Sequence, residues 1–596
     1  MEIKNKLEFI LLIGAITLTL IMGLIYVFQI TSQSWFSSIP EGSDMLTYHN
    51  WAKDVVEGRG LPKGVFGYSP LYPSVFLPVI YFLFGIRPLP VYIIQVFLGA
   101  LCTFLVYLIG KRAFNNWVGI GAAFFHALYR LFIIYYGAIL SEVLVNFLFL
   151  AAIFAFLKVL DKPSLRNKII CGTLFGLASL AKPTMHSFFP FLIIPMFVSY
   201  KEKKKAFSDF IVILSVSFLT IFPVTIRNYK YSGNIVLVSV AGGHNFLLGN
   251  NPGASGDDFR SDYYQQVSKE AENLSPVEKE NFYFQKGFEF IKSNPKEFLR
   301  QLARKFSFFW GSFHVPNNLN FYFLRRKVGI LKFPLLVPIQ ILVSLGIAGM
   351  FLSLKKWRNL LTLYLFIIIY SSVIILFFVL GRYTLPVFPF LCIFSAFAIY
   401  IITKKFLTRK YFTAIGAIFL IFILLWIEYG YARPFFFRSG VYLDLNGSLF
   451  IRDEDNRVVG ATLLKENGTR IKKDLILDRD PFEYRQAFLI LKFAFVNEKG
   501  FLFVSLNKRL SFKLISQGSS HQPQIILNLP VSPSVLVRGY NQIIIQPLEG
   551  AEALFFYDTT WKYGRSFFAA PGRDFIRGVN EKGSPGEFIV RLQLNR

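Results

Sequence analysis

The chain has 596 residues, is 54% hydrophobic and 18% aromatic, and carries 17% charged residues, where a soluble protein carries about a quarter. Its apolar residues come in blocks of roughly 17–25, the length that crosses a bilayer core, so the composition excludes a soluble fold. The net charge of +28 does not call for a nucleic-acid partner, because many Lys and Arg sit in short connections between apolar blocks and not on one soluble face.

The first block, Phe9 to Ile30, follows MEIKNK. It is long for a signal-peptide core and lacks a small-residue cleavage site, so it reads as a retained anchor. Spans are expected over 7–30, 89–110, 117–135, 138–159, 169–182, 184–200, 207–226, 333–354, 360–380, 384–403 and 411–431, about eleven transmembrane helices in all. With the N-terminus cytoplasmic, the inside connections hold Lys111/Arg112, Lys158/Lys162/Arg166/Lys168, Lys201/Lys203/Lys204/Lys205, Lys355/Lys356/Arg358 and Lys404/Lys405/Arg409/Lys410, as the positive-inside rule requires. SVFLPVIYFLFG (Ser74–Gly85) is too short for a span and would invert every later loop, so it reads as an interfacial or re-entrant helix. Residues 169–200 are interrupted by AKPTM and read as two short helices. Cys102, Cys171 and Cys392 lie in apolar segments and suggest neither a disulfide framework nor a thiolate metal site.

This topology leaves outside loops at 31–88 and 227–332 in a membrane domain over 1–432. The long loop predicts helices of its own, one capped by Ser275 and one starting at Pro295. From Gly440 on, short alternating runs such as AFLILKFAFVN and NQIIIQP are split by turn residues. They predict an extracytoplasmic all-β sandwich, jelly-roll-like, over 433–596.

Candidate chemistry crowds the outer edge. Asp44 stands about a dozen residues beyond the first span, at or above the membrane surface, in SDMLTYHNW with Tyr48, His49 and Trp51. It is a candidate general base toward a hydroxyl arriving from outside, or an ordinary helix cap. Glu142, at the outer end of the fourth span, is functional if membrane-embedded, or simply reaches water. Lys182, Arg227 and Arg382 are outer-side cations against the charge bias; they suit an anionic phosphate, or snorkel to lipid headgroups. SVAGGHNFLLGNNPGASG, with His244, Asn245, Asn250 and Asn251, offers amides suited to sugar hydroxyls, or is a plain loop. No His spacing resembles a metal pair; a carboxylate-held divalent metal stays open, and no other cofactor is expected.

The ordered set SDMLTYHNWAKDVVEGRG, YSPLYPSVFLPVIYFLFG, LSEVLVNFLFLAAIFAF, GLASLAKPT, IRNYKYSGNIVLVSVAGGHNFLLGNNPGA, FIKSNPKEFLRQLARKFSFFW and RYTLPVFPFL resembles the GT-C superfamily of polytopic glycosyltransferases over residues 1–430. Within it, the chain looks like the branch of dolichyl-phosphate-mannose protein mannosyltransferases and aminoarabinose lipid A transferases. The resemblance implies a GT-C-like membrane fold, with Asp44 as the catalytic base or acceptor-positioning carboxylate and Glu142 as the second acidic residue. The family commonly has a DE pair in the first loop; here Met45 follows Asp44, which weakens a metal site carried over from the family.

The expectation is an inverting glycosyltransferase of the cell envelope, on the outer face of a cytoplasmic membrane. It would move a monosaccharide, hexose or pentose, from a polyprenyl-phosphate carrier to a hydroxyl on a glycan, lipid or protein. Lys182, Arg227 and Arg382 would hold the donor phosphate. Tyr48, His49, Tyr68, His244, Asn245, Asn250 and Asn251 would contact substrate. The alternative is a multi-span lipid or solute transporter, or a flippase, without transferase chemistry.

Overall fold

The computed structural model describes residues 2–33, 36, 39, 43–256, 260–311, 314–315, 317–319, 321, 324–325 and 328–427, and beyond these only strands between 441 and 595. The chain divides into two compact units, Met1–Phe435 and Phe436–Arg596.

The first unit is helical. Helix α1 (Glu2–Thr31) is followed by α2 (Asp44–Val56), which starts where the Ser43 hydroxyl accepts the Leu46 N–H at 3.2 Å. A π-helical turn, Tyr72–Phe76, runs into α3 (Leu77–Phe84). At 1.5 Å per residue this pair falls short of a bilayer core, as expected for 74–85. Helix α4 (Pro88–Ala113) opens on proline and closes on Lys111 and Arg112.

The expected span at 117–135 is broken into α5 (Asn116–Leu128) and α6 (Arg130–Tyr136), with Tyr129 extended between them. Nothing in the local sequence breaks it. Tyr129 forms an isolated bridge to Val337, whose N–H reaches the Leu128 carbonyl. Helix α7 (Glu142–Asp161) begins four residues later than the expected span at 138. The intervening stretch is held by Gln95 of α4, whose amide donates to the Tyr135, Tyr136 and Ala138 carbonyls and accepts from the Tyr72 hydroxyl.

Residues 169–200 form two pieces, α8 (Leu165–Ala181) and a 3₁₀ stretch, Pro183–Leu192, leading into α9 (Ile193–Ser199). Helix α10 (Lys203–Ser232) ends at Gly233 in the left-handed region, φ 67°. It packs closely on α8 because Gly172 and Gly176 leave room: a β-carbon there would lie 2.6 Å from Val216 and 2.5 Å from Thr220. Small residues four apart are the usual device for close approach in membranes.

The long loop carries α11 (Gly242–Gly249), α12 (Asp262–Glu270), α13 (Pro276–Ser293) and α14 (Pro295–Trp310). Ser275 and Glu278 form a capping box on α13, and Pro295 opens α14, as the sequence predicts. The remaining helices are α15 (Ile339–Leu352), α16 (Trp357–Leu376), the short α17 (Gly381–Thr384), α18 (Phe388–Leu407) and α19 (Tyr411–Ile427).

Among the described residues, six helices are long and apolar enough, by length and composition, to cross a membrane: Lys6–Thr31, Pro88–Ala113, Glu142–Asp161, Lys203–Ser232, Leu354–Leu376 and Phe388–Leu407. Tyr72–Phe84, Pro183–Ser199, Ile339–Leu352 and Tyr411–Leu425 are shorter apolar helices.

In the second unit the described strands pair antiparallel. One six-stranded sheet has Arg470–Leu477 beside Gly539–Leu548, which is followed by Phe501–Leu506 and Leu510–Ile515. The other is built around Gln486–Phe495, flanked by Ile525–Val531, Val590–Asn595 and Ala553–Asp558.

Candidate active site

Asp44 is the first residue of α2, and three hydrogen bonds to two residues fix its carboxylate and backbone. Its N–H donates to Asn318 Oδ1 at 3.0 Å, and Asn318 Nδ2 donates to Asp44 Oδ2 at 2.9 Å. Arg382 Nη2 donates to the same oxygen at 2.6 Å. Burial works to raise the Asp44 carboxyl, but the Arg382 charge, the hydrogen bonds from Asn318 and Arg382, and Lys182 outweigh it and hold it below the ordinary carboxylate range.

Arg382 also faces Glu142, with Nη1 3.6 Å from Oε1. One guanidinium therefore bridges two carboxylates from α2 and α7. Both Arg382 and Glu142 are buried, 9% and 4% exposed, so neither can snorkel freely to water. The turn that carries Arg382 is shaped by the long loop: Val379 N–H donates to Gly256 O and Gly381 N–H to Val315 O, both at 2.9 Å. Gly381 is required there, because a β-carbon would lie 2.1 Å from the His314 ring. The segment holding His314, Val315 and Asn318 thus ties Asp44 to the Arg382 turn.

Lys182, the residue after α8, places Nζ 4.1 Å from the centroid of the Tyr383 ring. Tyr383 in turn accepts from Arg382 Nη2 at 3.4 Å. Asp44, Glu142, Lys182 and Arg382, four of the five charged candidates, therefore share one neighbourhood. Tyr48, one turn along α2, is buried against Tyr68 and Tyr72 with ring centroids at 5.8 and 5.7 Å. Tyr68 is itself exposed. His49 is tied to the Tyr81 hydroxyl of α3 at 2.8 Å, and burial with the nearby Lys53 charge lowers its pKa.

Arg227 is placed elsewhere. Its guanidinium donates to the Gly64 carbonyl at 2.9 Å and to the Pro62 carbonyl, and lies 3.7 Å from the Phe66 ring centroid. It fastens the first loop and is committed to backbone oxygens. The amide-rich segment is likewise committed to structure. Asn250 donates to the Phe246 and Leu376 carbonyls, and Asn251 to those of Leu247 and Leu248. Both are fully buried. His244 bonds the Tyr264 hydroxyl at 2.6 Å. Asn245 lies half-buried on α11.

Sequence reasoning missed Asn318, Gln95 and Lys305. Lys305 of α14 is fully buried, and Nζ donates to Gly249 O, Asn250 Oδ1, Leu376 O and Phe377 O at 3.0–3.4 Å. Burial pushes its pKa down to about 7. Beside it, a cavity of about 1290 Å³ opens between α14, α15, α16 and α19, lined mainly by apolar side chains such as Phe306, Trp310, Ile347, Ile367 and Leu424. Leu376, in its wall, leads along the chain to Arg382. Among the described residues, no group of three or more His, Cys, Asp or Glu is placed to hold a metal ion.

Residues 69–226 match the family model described as dolichyl-phosphate-mannose-protein mannosyltransferase. No curated protein gives a match. Among solved structures, the chain is similar to the Archaeoglobus fulgidus oligosaccharyltransferase AglB in complex with an inhibitory peptide and a dolichol-phosphate, at 16% identity over 73% of this chain and 56% of that one, TM-score 0.45. It is also similar to ArnT from Cupriavidus metallidurans bound to undecaprenyl phosphate, at 14% identity over 64% of this chain and 77% of that one, TM-score 0.30. The chain spans about half the length of the archaeal structures it matches. The family match takes in the segments that carry Gln95, Glu142 and Lys182, so residues 69–226 are similar to this family of membrane glycosyltransferases.

Proposed function

We propose that the chain is an inverting glycosyltransferase that moves a monosaccharide from a polyprenyl-phosphate carrier to an acceptor hydroxyl. The observation that carries this reading is the Arg382 guanidinium shared between Asp44 and Glu142. The matched family acts, by its description, with a lipid-phosphate-linked sugar, and the apolar cavity beside α16 suits the lipid tail of such a carrier.

In this mechanism the acceptor oxygen attacks the anomeric carbon from the face opposite the phosphate. The new carbon–oxygen bond forms as the bond to the phosphate oxygen breaks, and the phosphate leaves with the electron pair. Asp44, ionised by its neighbours, takes the acceptor proton. Arg382 and Lys182 stabilise the charge that develops on the departing phosphate. Glu142 holds Arg382 in place and orients sugar or acceptor. No nucleotide is called for, because the energy resides in the bond between sugar and lipid phosphate.

The site would open on the outer face of a cytoplasmic membrane crossed by about eleven helices, with a cytoplasmic N-terminus and residues 433–596 outside as a jelly-roll-like sandwich. The test is Asp44→Asn in purified protein supplied with a polyprenyl-phosphate sugar in detergent. Transfer should vanish while membrane levels stay normal. Wild-type turnover in that variant would remove Asp44 from the chemistry. Absence of transfer by the wild type with any lipid-linked sugar would favour the transporter alternative.

A further inference from the structure

Around Glu142, Asn146 Oδ1 and Oε2 of Glu142 itself are buried without a hydrogen-bond partner, and the buried hydroxyls of Tyr370 and Thr184 face each other. Asn146 is 5% exposed and Tyr370 2%. Asn146 is the one polar residue of the run from Val143 to Phe156. It follows Glu142 by four residues on α7, so the two share a helix face. Tyr370 of α16 meets that side of α7, its ring 5.9 Å from Phe149. It lies within electrostatic reach of Glu142 and Tyr383, with Thr184 beside it. Asn146 is roughly 6 Å inside the start of α7, and Tyr370 roughly 9 Å inside the end of α16. That depth matches one sugar ring below the Arg382 bridge. A buried polar group with no partner is destabilising, and apolar residues would pack there at less cost.

We propose that Asn146 and Tyr370, with Thr184 beside them, read the hydroxyls of the donor's sugar. The proposal rests on the transferase reading above and names what sets its sugar specificity. A sugar hydroxyl donates to Asn146 Oδ1 and a second one pairs with the Tyr370 hydroxyl, while the phosphate stays with Arg382 and Lys182. A site built to bond a hydroxyl rejects the sugar that lacks it far more strongly than an apolar pocket rejects a missing methylene. The carriers that bind best are therefore those whose sugar presents hydroxyls at both points.

The test uses the full-length protein in detergent, with undecaprenyl phosphate and its mannose-, glucose-, galactose- and arabinose-linked forms as probes. Thermal-unfolding midpoints are read with and without each probe for the wild type, Asn146→Leu and Tyr370→Phe. The wild type should gain a larger shift from at least one sugar-linked carrier than from the bare carrier. Both variants should keep the unliganded midpoint at or above wild type, lose that extra shift, and bind the preferred carrier roughly tenfold or more weakly. An extra shift that survives in both variants overturns the proposal, as does a wild type that treats bare and sugar-linked carriers alike. A fall in both unliganded midpoints also overturns it, because it assigns the two groups to structure. A sugar-dependent shift without sugar transfer upholds the pocket and sinks the transferase reading.

Discussion

Asp44 Oδ2 and Arg382 Nη2 stand 2.6 Å apart across 338 residues of sequence. That contact fixes the charge of the acidic residue. Arg382 holds the Asp44 carboxyl below its usual range against the effect of burial. Arg382→Gln removes the opposing charge and leaves burial dominant, so the Asp44 pKa rises. The acid limb of the pH–rate profile should then move to higher pH, and the transfer rate should fall roughly 10²–10³-fold. The sign follows for stability as well. A depressed carboxyl stabilises the fold fully above its unfolded pKa, and that contribution fades as pH falls through the lower folded value. Acid inactivation of the wild type should therefore set in at lower pH than that of the variant. An unchanged acid limb in Arg382→Gln would separate the ion pair from the chemistry.

Lys305 gives a second pH dependence of opposite origin. Its folded pKa of about 7 lies below the ordinary value of 10.5. Between those values the unfolded chain binds the proton and the folded chain releases it, so stability rises with pH across this window. The midpoint of thermal inactivation should climb between pH 7 and 9 in the wild type. Lys305→Met should be less stable at pH 7, because it strips the Gly249, Leu376 and Phe377 carbonyls of their donor, and it should flatten the rise.

Gln95 joins two segments that flank the site, the turn at Tyr72 and the end of α6 with the residues after it, 135–138. Gln95→Leu preserves size but leaves buried carbonyls unpaired. It should cost on the order of 3 kcal/mol, read as a lower midpoint of thermal inactivation in detergent. Gln95→Glu keeps the acceptor for Tyr72 and loses the donor, so it should not recover the carbonyl contacts.

Arg227 tests the difference between a phosphate ligand and a loop clamp. Arg227→Ala should lower thermal stability, because the Gly64 and Pro62 carbonyls and the Phe66 ring lose a partner. The dependence of rate on donor concentration should change little. Arg227→Lys should restore stability poorly, since a point charge replaces neither the two-pronged donation nor the stacking. A large rise in donor KM for Arg227→Ala would return this residue to the phosphate.

Glu142 and Arg382 were legible in the sequence because an ionisable side chain at the outer end of an apolar block stands out, and Asp44 because it stands in the first outside loop. Asn318 was not, because it sits in an ordinary polar loop 274 residues from the carboxylate it orients. The amides of Asn250 and Asn251 looked like sugar ligands in a Gly-rich string. Folding turns them onto backbone carbonyls, with Asn250 among those at the end of α16, and a local pattern cannot show that. The break at Tyr129 is of the same kind, since it comes from Val337, far along the chain. Capping signals fared better, because Ser275, Glu278 and Pro295 act on their own neighbours.

Helix α3 has two faces with different tasks. Val79, Phe82, Leu83 and Phe84 point outward and apolar, while Tyr81 turns inward to His49 on α2. On the proposed reading, the lipid surface becomes a datum from which the height of Asp44 is measured. A thicker or thinner bilayer would then lift or sink the acid relative to Glu142 and Arg382, so the composition of the surrounding lipid would tune the enzyme without any dedicated regulatory ligand.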